Sequence, residues 1–369
     1  MKKGSRLGLR TIAELLKVSR MTVSMALRND GRIADRTRKK VHAAAAKLGY
    51  TPNPRIGQLM AETARTRHGA PQEVLAYVTS EPTRDGWRKF DGNSFELARQ
   101  RASEHGFLLE PWWIADPSIS SAHLNRILWS RGIKGIVIPN ISHQLFIEQG
   151  GTLPIEWHRF TVVEIGGALM NPVINQIRHD HYNGMTLTID KLETLGYRRI
   201  GFCVKNEDDL RTHHRWSAAY ALWKIMRGHD KQLPPLIIDE VSSDQLCRWV
   251  KNERLEVVVS PGLAALHALR KGGLRIPIDI GFASLDAWGP GASKVTGINQ
   301  NNGEMQTSAV DMLVTLLHRN QRGIPEHPIS WVVGGRWIHG QTTQRVRPVK
   351  SLLPGIEHER LPIQPAKAP

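Results

Sequence analysis

The sequence predicts a protein of two parts, a small all-helical N-terminal region followed by a large α/β body that contains two parallel sheets. Three observations support this division. Three short amphipathic helix patterns lie within the first 50 residues. From Glu73 onward, apolar strands alternate with helical segments, a pattern typical of parallel sheets that are buried on both faces. Basic charge is concentrated in residues 1–68, which hold 16 Lys and Arg against four acidic residues.

The N-terminal region is expected to contain three helices. The first is expected to begin at Thr11, with Glu14 three residues later as its capping-box partner. The second is expected over residues 20–27, with Ser19 as its N-cap, because a serine in that position can accept a hydrogen bond from an unsatisfied backbone N–H. The third is expected over 35–48. Two short helices joined by a tight turn, followed by a third, predict a helix-turn-helix.

The body is long enough for two parallel α/β halves, which we expect to meet near Arg178. Its two cysteines, Cys203 and Cys247, form no disulfide framework. The expected strands cover 74–79, 106–109, 135–139, 161–165, 199–204, 236–238, 257–260 and 280–284, and the expected helices cover 94–105, 121–131, 183–195, 215–227, 244–252 and 263–272.

The net charge of +16 indicates the kind of partner that the chain binds. Residues 69–369 are nearly balanced, with 34 basic and 30 acidic residues. A basic segment attached to a near-neutral body is typical of a nucleic-acid-binding protein, and a solvated basic tail is the alternative. Met1-Lys2-Lys3 leads into a polar stretch, and no apolar run is long enough to span a membrane, so we expect a cytoplasmic protein that is not exported and has no membrane partner.

Several motifs resemble one known family in their order along the chain. VSRMTVS at 18–24, IADRTRKKV at 33–41 and AAKLGYTPN at 45–53 resemble the DNA-binding headpiece of the lac-repressor (LacI/GalR) family of bacterial transcription regulators. LGYRRIG at 195–201 and LRIPIDI at 274–280 resemble segments of the effector-binding body of that family.

The resemblance implies a helix-turn-helix headpiece with a hinge helix, followed by a periplasmic-binding-protein-like body of two parallel-sheet subdomains. The implied domains are the headpiece at 1–52, the hinge helix and linker at 53–68, the effector-binding and dimerisation domain at 69–345, and a proline-rich tail at 346–369. Within the body, the N-subdomain is expected at about 69–178 and 300–327, and the C-subdomain at about 179–299 and 328–345.

The candidate DNA-contacting residues lie on the second helix and in the hinge. The N-terminal residues of such a helix meet base edges in the major groove, which favours Arg20 and Met21. Small hydroxyl side chains suit phosphate contacts. Family members commonly have an arginine where Met25 stands, so the usual operator sequence is not implied. The full set is Ser19, Arg20, Met21, Thr22, Ser24, Met25, Arg28, Asn53 and Leu59.

Alternative interpretations of these residues remain open. Met21 and Met25 can instead pack in the headpiece core, because methionine fills gaps. The hydroxyl residues can act only as helix caps. Leu59 matches the leucine that the family inserts between base pairs of the minor groove, which implies a homodimer on a near-palindromic operator, whereas an ordinary linker is the alternative.

The resemblance also implies a ligand cleft between the halves, at the carboxyl ends of the strands. Arg215 matches a family arginine that holds sugar hydroxyls or a carboxylate, and Asp286 matches an aspartate that grips hydroxyls. Eleven tryptophans favour a carbohydrate or carbohydrate derivative as effector, although each can serve in packing. A helix cap and a turn are the alternative roles of Arg215 and Asp286. The candidate ligand-binding residues are Thr79, Ser80, Glu164, Arg215, Trp216, Ser260, Asp286 and Trp288.

An enzyme and an exported binding protein are the competing classes. The chain has no phosphate-binding Gly-x-x-x-x-Gly-Lys-Ser/Thr motif, no Gly-x-Ser-x-Gly and no Cys-x-x-Cys. His179-Asp180-His181 and His213-His214 lack the spacing of metallopeptidases, so we expect no catalytic residue, metal or cofactor. The sequence therefore favours a ligand-responsive DNA-binding regulator, with repression expected and activation or a dual role left open.

Overall fold

The computed structural model describes residues 9–27, 32–48, 50, 73–81, 83–139, 153–169, 171–228, 233–289 and 291–346.

The N-terminal headpiece consists of three helices that pack around a small apolar core. Ile12, Val23 and Val41 are completely buried, one from each helix, and alanines fill the space between them. The apolar positions three and four residues apart turn one stripe of each helix inward, which leaves the charged residues outside. The helices are α1 (Leu9–Leu16), α2 (Arg20–Leu27) and α3 (Asp35–Lys47).

The start of α1 differs from the sequence-based expectation. Thr11 lies inside the helix, which begins at Leu9, so the predicted N-cap at Thr11 is wrong. Glu14 accepts a hydrogen bond from Nε of Arg10 at 2.8 Å. The short i,i+4 ion pair replaces the expected capping box.

The body is an α/β structure of two six-stranded sheets with helices on both faces. Its strands are β1 (Val74–Thr79), β2 (Leu108–Trp113), β3 (Gly135–Ile138), β4 (Thr161–Ile165), β5 (Asn175–His179), β6 (Ile200–Lys205), β7 (Leu236–Ile238), β8 (Val257–Ser260), β9 (Gly281–Ser284), β10 (Gly297–Asn299), β11 (Ser330–Val333) and β12 (Arg336–Ile338). Its helices are α4 (Gly86–Glu104), α5 (Ser121–Ser130), α6 (His181–Thr194), α7 (Asn206–Arg211), α8 (Arg215–Met226), α9 (Ser243–Asn252), α10 (Ala264–Lys271) and α11 (Asn302–His318).

The first sheet has the order β11-β5-β4-β3-β1-β2, and each of its described pairings is parallel. Helices α4 and α11 cover one face, where Phe95 and Leu313 join the core, and α5 covers the other with Leu128. We call this sheet, together with the described helices α4, α5 and α11, the first half. Burial on both faces explains why its central strands are continuous apolar runs.

The second sheet has the order β12-β10-β9-β8-β6-β7, with only the β10–β12 pair antiparallel among the described pairings. Helices α6 and α8 cover one face and α9 and α10 the other, and these elements form the second half. Gly297 is required here, because a Cβ at this position would collide with the backbone of Ser284.

The chain crosses between the halves three times, between β5 and α6, between β10 and α11, and between β11 and β12. The three crossings are joined to one another. The carbonyl oxygen of Val333 accepts a hydrogen bond from the backbone N–H of Asp180 at 2.9 Å, and Nδ1 of His179 lies 3.1 Å from the same oxygen. Nδ2 of Asn301 donates to the carbonyl oxygen of Gly334 at 2.7 Å. These hydrogen bonds link the three crossings into one compact group.

One expected assignment within the body needs correction. Residues 328–345 were expected in the second half, but β11 pairs with β5 of the first sheet. The backbone N–H of Ile329 donates to Oδ1 of Asn175 at 2.9 Å and fixes this register. Only the segment from β12 onward returns to the second sheet.

Candidate nucleic-acid interface and ligand cleft

The N-terminus of α2 is fixed by its own sequence. The backbone N–H of Thr22 donates to Oγ of Ser19 at 2.9 Å, and the two hydroxyl oxygens lie 2.8 Å apart. A capped first turn starts the helix at Arg20, as the sequence predicts. Val23 and Ala26 are buried against the other helices and set the orientation of the opposite face.

The outer face of α2 is open to solvent. Arg20 is exposed, and the side chain of Met21 is 67% exposed, so core packing does not explain this methionine. Met25 and Ser24 are half-buried. An exposed guanidinium and thioether at the N-terminal end of the second helix match the geometry by which such helices reach base edges.

The neighbouring surface is basic, since Arg36, Lys39 and Lys40 on α3 are exposed. Positive charge beside a helix-turn-helix provides the sequence-independent attraction to phosphates. Three candidate residues lie outside the described residues, namely Arg28, Asn53 and Leu59.

A second candidate site lies where the carboxyl ends of the two sheets approach each other. Nε2 of His213, which follows α7 in the second half, lies 3.1 Å from the carbonyl oxygen of Gly167, which follows β4 in the first half. Gly167 has a φ of +73°, and the side chain of Gln176 fills the space that a Cβ would need. A left-handed φ of this kind favours glycine at the point where the loop approaches the second half.

The first half contributes buried polar groups to this cleft. Thr79 ends β1 and donates from Oγ1 to the carbonyl oxygen of Trp112 at 3.2 Å, and Ser80 beside it is buried. Glu164 lies on β4, which is separated from β1 by β3, and is 1% exposed. Strand ends on one sheet edge thus bring together residues that are far apart in sequence.

Glu164 has an unusual environment for a carboxylate. Its Oε1 accepts hydrogen bonds from the backbone N–H groups of Ala168 at 2.6 Å and Leu169 at 2.8 Å. Burial raises the pKa of Glu164 to about 7, against the opposing effect of these bonds and of Arg211. The side chain can therefore gain or lose a proton near neutral pH.

The second half contributes Arg215 and Trp216 from the first turn of α8. Arg215 is half-buried and donates from Nη1 to the carbonyl oxygen of Thr212 at 2.9 Å. Trp216 is 2% exposed, and its ring centroid lies 4.6 Å from that of His181. Trp216 therefore belongs to the core of the second half as well as to the cleft region.

The other candidates lie at the carboxyl ends of the neighbouring strands β8 and β9, on the same edge of the second sheet. Ser260 is the last residue of β8, and Asp286 and Trp288 follow β9. Oγ of Ser260 lies 3.5 Å from the carbonyl oxygen of Pro261, and the backbone N–H of Asp286 donates to Oγ of Ser284 at 3.1 Å. Trp288 is half-buried. The structure thus brings the predicted ligand residues of each half to one edge of its sheet.

Sequence reasoning did not assign several polar residues near the cleft. Asp209 is buried and contacts Nδ1 of His214 and Oγ of Ser217, each at 2.7 Å. His179 and His181 are buried at the first crossing, with ring centroids 5.2 Å apart. The His-x-His pattern was the available signal, but it was considered only as a possible metal site and set aside because its spacing did not fit one. Among the described residues, no group of three His, Cys, Asp or Glu side chains is arranged to hold a metal ion.

The chain has a three-helix headpiece, whose capped second helix faces outward, followed by a two-sheet α/β body. These features define a helix-turn-helix protein with a body of the ligand-binding type. Comparison with known proteins agrees with both parts. Residues 8–53 match the family of bacterial regulatory proteins of the lacI type, and residues 189–343 match the periplasmic binding protein-like domain.

Individual relatives are distant but extend over nearly the whole chain. The chain is 21% identical over 351 residues to the HTH-type transcriptional repressor PurR of Aliivibrio salmonicida (strain LFI1238), covering 87% of this chain and 96% of the relative. Similar solved structures include a CelR–cellobiose complex, with 20% identity, TM-score 0.55 and coverage of 91% and 100%. Another is the lac repressor dimer bound to operator and the anti-inducer ONPF, with 19% identity, TM-score 0.53 and coverage of 92% and 100%.

The chain therefore carries a DNA-binding region of the kind found in lacI-type bacterial regulatory proteins, together with a periplasmic binding protein-like domain. Within the described residues, no helix is both long and apolar enough to cross a membrane.

Proposed function

We propose that this regulator is a repressor that binds a near-palindromic operator as a homodimer and is controlled by a small molecule, a sugar or sugar derivative. The observation that carries the proposal is the outer face of α2, where Arg20 and Met21 are exposed at the N-terminal end of a helix that Ser19 caps. Such an end is free to enter the major groove without rearrangement of the headpiece.

The proposed DNA contacts divide into two kinds. Arg20, Met21 and Met25 face base edges, with Arg28 at the end of the same segment, while the hydroxyl groups nearby hold phosphates. In the hinge, Asn53 and Leu59 enter the minor groove, where an apolar wedge kinks the duplex. The hydroxyl residues are Ser19, Thr22 and Ser24.

The proposed effector site is the cleft between the halves. Acceptors and donors that suit hydroxyl groups come from both halves, and the half-buried indole of Trp288 offers a flat surface for a sugar ring. The solved CelR structure contains cellobiose, which supports a carbohydrate as the ligand class. The proposed contacts are Thr79, Ser80, Glu164, Arg215, Trp216, Ser260, Asp286 and Trp288.

Coupling between the two sites is proposed to act through the hinge. An effector that binds the closed cleft better than the open one shifts the orientation of the halves, and this shift orders or releases the hinge helix at 53–68. The proposed division assigns 1–52 to the headpiece and 69–345 to effector binding and dimerisation, with β11 in the first half and the tail at 346–369.

The names of the relatives support repression and dimerisation. PurR is described as a repressor, and the lac repressor structure as a dimer on its operator. The proposed location is the cytoplasm, where the DNA is. An activator or dual regulator would use the same DNA contacts with the opposite outcome, and a sugar-binding protein without a regulatory role would bind no operator.

Selection from a random duplex library tests the DNA half of this proposal. The full chain is expected to enrich inverted repeats, because two headpieces related by a two-fold axis read two half-sites. Leu59→Ala is expected to weaken binding to the enriched site by tenfold or more and to change binding to random duplex little. Leu222→Ala, an exposed leucine on α8, is the matched control. If no sequence were enriched, operator recognition would be refuted. If Leu59→Ala weakened binding equally on both duplexes, the role of Leu59 as a wedge would be refuted.

A further inference from the structure

Two arginines at the cleft have no acidic partner among the described residues. Arg178 lies near the end of β5 in the first half, and Arg215 begins α8 in the second. Each guanidinium donates only to a backbone carbonyl oxygen in the described part of the chain, Arg178 to His179 at 3.4 Å and Arg215 to Thr212 at 2.9 Å. Buried or half-buried guanidinium groups usually lie against carboxylates, so this pair is an exception.

Four acidic side chains near the two arginines are engaged elsewhere. Asp180 caps α6, accepting from the backbone N–H and Nδ2 of Asn183 at 3.1 and 2.6 Å. Asp208 pairs with Arg211 at 3.1 Å. The carboxylate of Glu164 and that of Asp209 are likewise committed to backbone N–H groups and to His214 and Ser217. None of these groups neutralises the two arginines directly.

The charge of Arg178 acts on Arg215 across the cleft. Desolvation lowers the pKa of Arg215, and the charge of Arg178 lowers it further, while Asp180 acts in the opposite direction. Burial and then the charges of Arg215 and Arg178 also lower the pKa of His213, which touches Gly167 across the cleft. Cδ of Arg178 lies beside Gly167, 3.4 Å from the position that a Cβ of this residue would occupy.

Three buried nitrogen atoms in residues next to the arginines or in contact with them also have no hydrogen-bond partner in the described structure. They are Nε2 of His179, which is 1% exposed, Nδ1 of His181, which is 6% exposed, and Nε1 of Trp216, which is 2% exposed. Burial lowers the pKa of His181 to about 2, with His179 and then Arg211, Arg215 and Arg178 adding to the effect, so this imidazole is neutral and can donate one hydrogen bond. A buried donor without an acceptor costs free energy that a bound acceptor would recover.

We propose that the effector carries an anionic group, a carboxylate or a phosphate, which binds between Arg178 of the first half and Arg215 of the second. This inference rests on the proposed effector cleft and narrows its ligand from sugars in general to acidic sugar derivatives or similar oxyanions. An anion that contacts both guanidinium groups also holds the halves together, because each half supplies one of them. Binding and closure are then one event.

Thermal unfolding and calorimetric titration of the full chain test this proposal. The probes are D-glucose, D-gluconate, D-glucose 6-phosphate and inorganic phosphate, each at matched ionic strength against chloride. At least one anion is expected to raise Tm by about 3 °C or more at saturation, and glucose is expected to raise it less. Gluconate and glucose 6-phosphate separate a carboxylate ligand from a phosphate ligand.

Matched charge-removing variants locate the site. Arg178→Gln and Arg215→Gln are each expected to weaken binding of the stabilising anion by tenfold or more, and Arg178→Lys is expected to restore part of it because the charge remains. Arg270→Gln is the control in the body, since this exposed residue ends α10, a helix that runs away from the carboxyl edge of the second sheet. Lys39→Gln is the control for anions that bind the basic headpiece.

Three results would overturn the proposal: stabilisation by glucose alone, no anion that exceeds chloride, or an anion effect that survives both glutamine variants in folded protein. DNA binding by the same preparations is measured in parallel. Loss of anion binding with intact DNA binding would refute only this inference, whereas absence of DNA binding in the wild type would refute the proposed function.

Discussion

The headpiece exposes its candidate functional side chains to solvent, whereas the candidate ligand cleft buries most of its polar groups. On α2, Arg20 and Met21 are exposed, and the cap from Ser19 to Thr22 spans only three residues. In the cleft, Glu164 is buried and interacts with a loop that closes over it. The polar groups of the headpiece are therefore presented to solvent, whereas those of the cleft are held in internal hydrogen bonds.

The two sites also differ in how their polar groups affect the stability of the fold. Exposed charges on α2 and α3 remain solvated and affect stability little. Buried groups in the cleft have shifted pKa values, since burial raises the pKa of Glu164 to about 7 and lowers that of His179 to about 4. The stability of the body should thus depend on pH and ligand, and that of the headpiece on its small core.

The largest expected effect concerns that small core. Ile12→Ala removes a fully buried side chain and is expected to cost about 2–5 kcal/mol, which is comparable to the whole stability of so small a domain. Scanning calorimetry should show a lost or lowered headpiece transition with the body transition unchanged, and DNA binding should be abolished. Ile177→Ala, equally buried in the first sheet, is the counterpart and should lower only the body transition. If both variants shifted one common transition, the two regions would form a single cooperative unit.

The next effect concerns the buried carboxyl group of the cleft. The pKa of Glu164 is raised in the folded state, so its contribution to stability is present below pH 4.5 and is lost as pH rises through about 7. Glu164→Gln keeps an acceptor for the backbone N–H groups and removes this loss. The free energy of unfolding of the variant, relative to that of wild type, should therefore rise by about 3 kcal/mol as pH increases from 5 to 8.

Unfolding free energies across that pH range provide the measurement. The buried histidines have lowered pKa values and act in the opposite direction, since they favour the folded state above pH 6.5, so the informative quantity is the difference between variant and wild type. The exposed Glu240→Gln serves as control. A difference for Glu164→Gln that does not change with pH would contradict the assigned burial.

The smallest expected effect is at the cap of α2. Ser19→Ala removes the acceptor for the backbone N–H of Thr22 and should cost the headpiece about 1 kcal/mol. Ser19→Asp should restore stability, because aspartate also caps helices, but should weaken DNA binding if this position faces phosphate. Equal DNA affinity of the Asp variant and the wild type would limit Ser19 to a structural role.

Elements that neighbouring residues specify were predicted well from the sequence. Strands that are defined by pairing with distant parts of the chain were not. The bounds of α2, β4, β7 and β8 agree with the expectation, because a cap or an apolar run bounded by polar residues specifies each of them. In contrast, β5 has the polar sequence NQIRH, and its partner β11 lies about 150 residues away. No local pattern marks such strands, since pairing rather than composition defines them.

The same distinction applies to the sites. The exposed end of α2 follows from consecutive residues, so sequence reasoning could assign Arg20 and Met21 to it. That Arg178 has no acidic partner in the described part of the chain depends on where Asp180 and Glu164 direct their carboxylates, and only the folded structure reveals that. The helix α11, which crosses back to cover the first sheet, was likewise absent from the expectation.

The most direct test of the central claim is the affinity of the full chain for its selected duplex as a function of salt concentration. If the basic headpiece binds DNA through phosphate contacts, the logarithm of the binding constant should fall linearly with the logarithm of the salt concentration. With six to ten contacts per dimer, affinity should drop on the order of a thousandfold or more between 50 and 200 mM salt. Affinity that does not change with salt, or no measurable binding at low salt, would contradict the account.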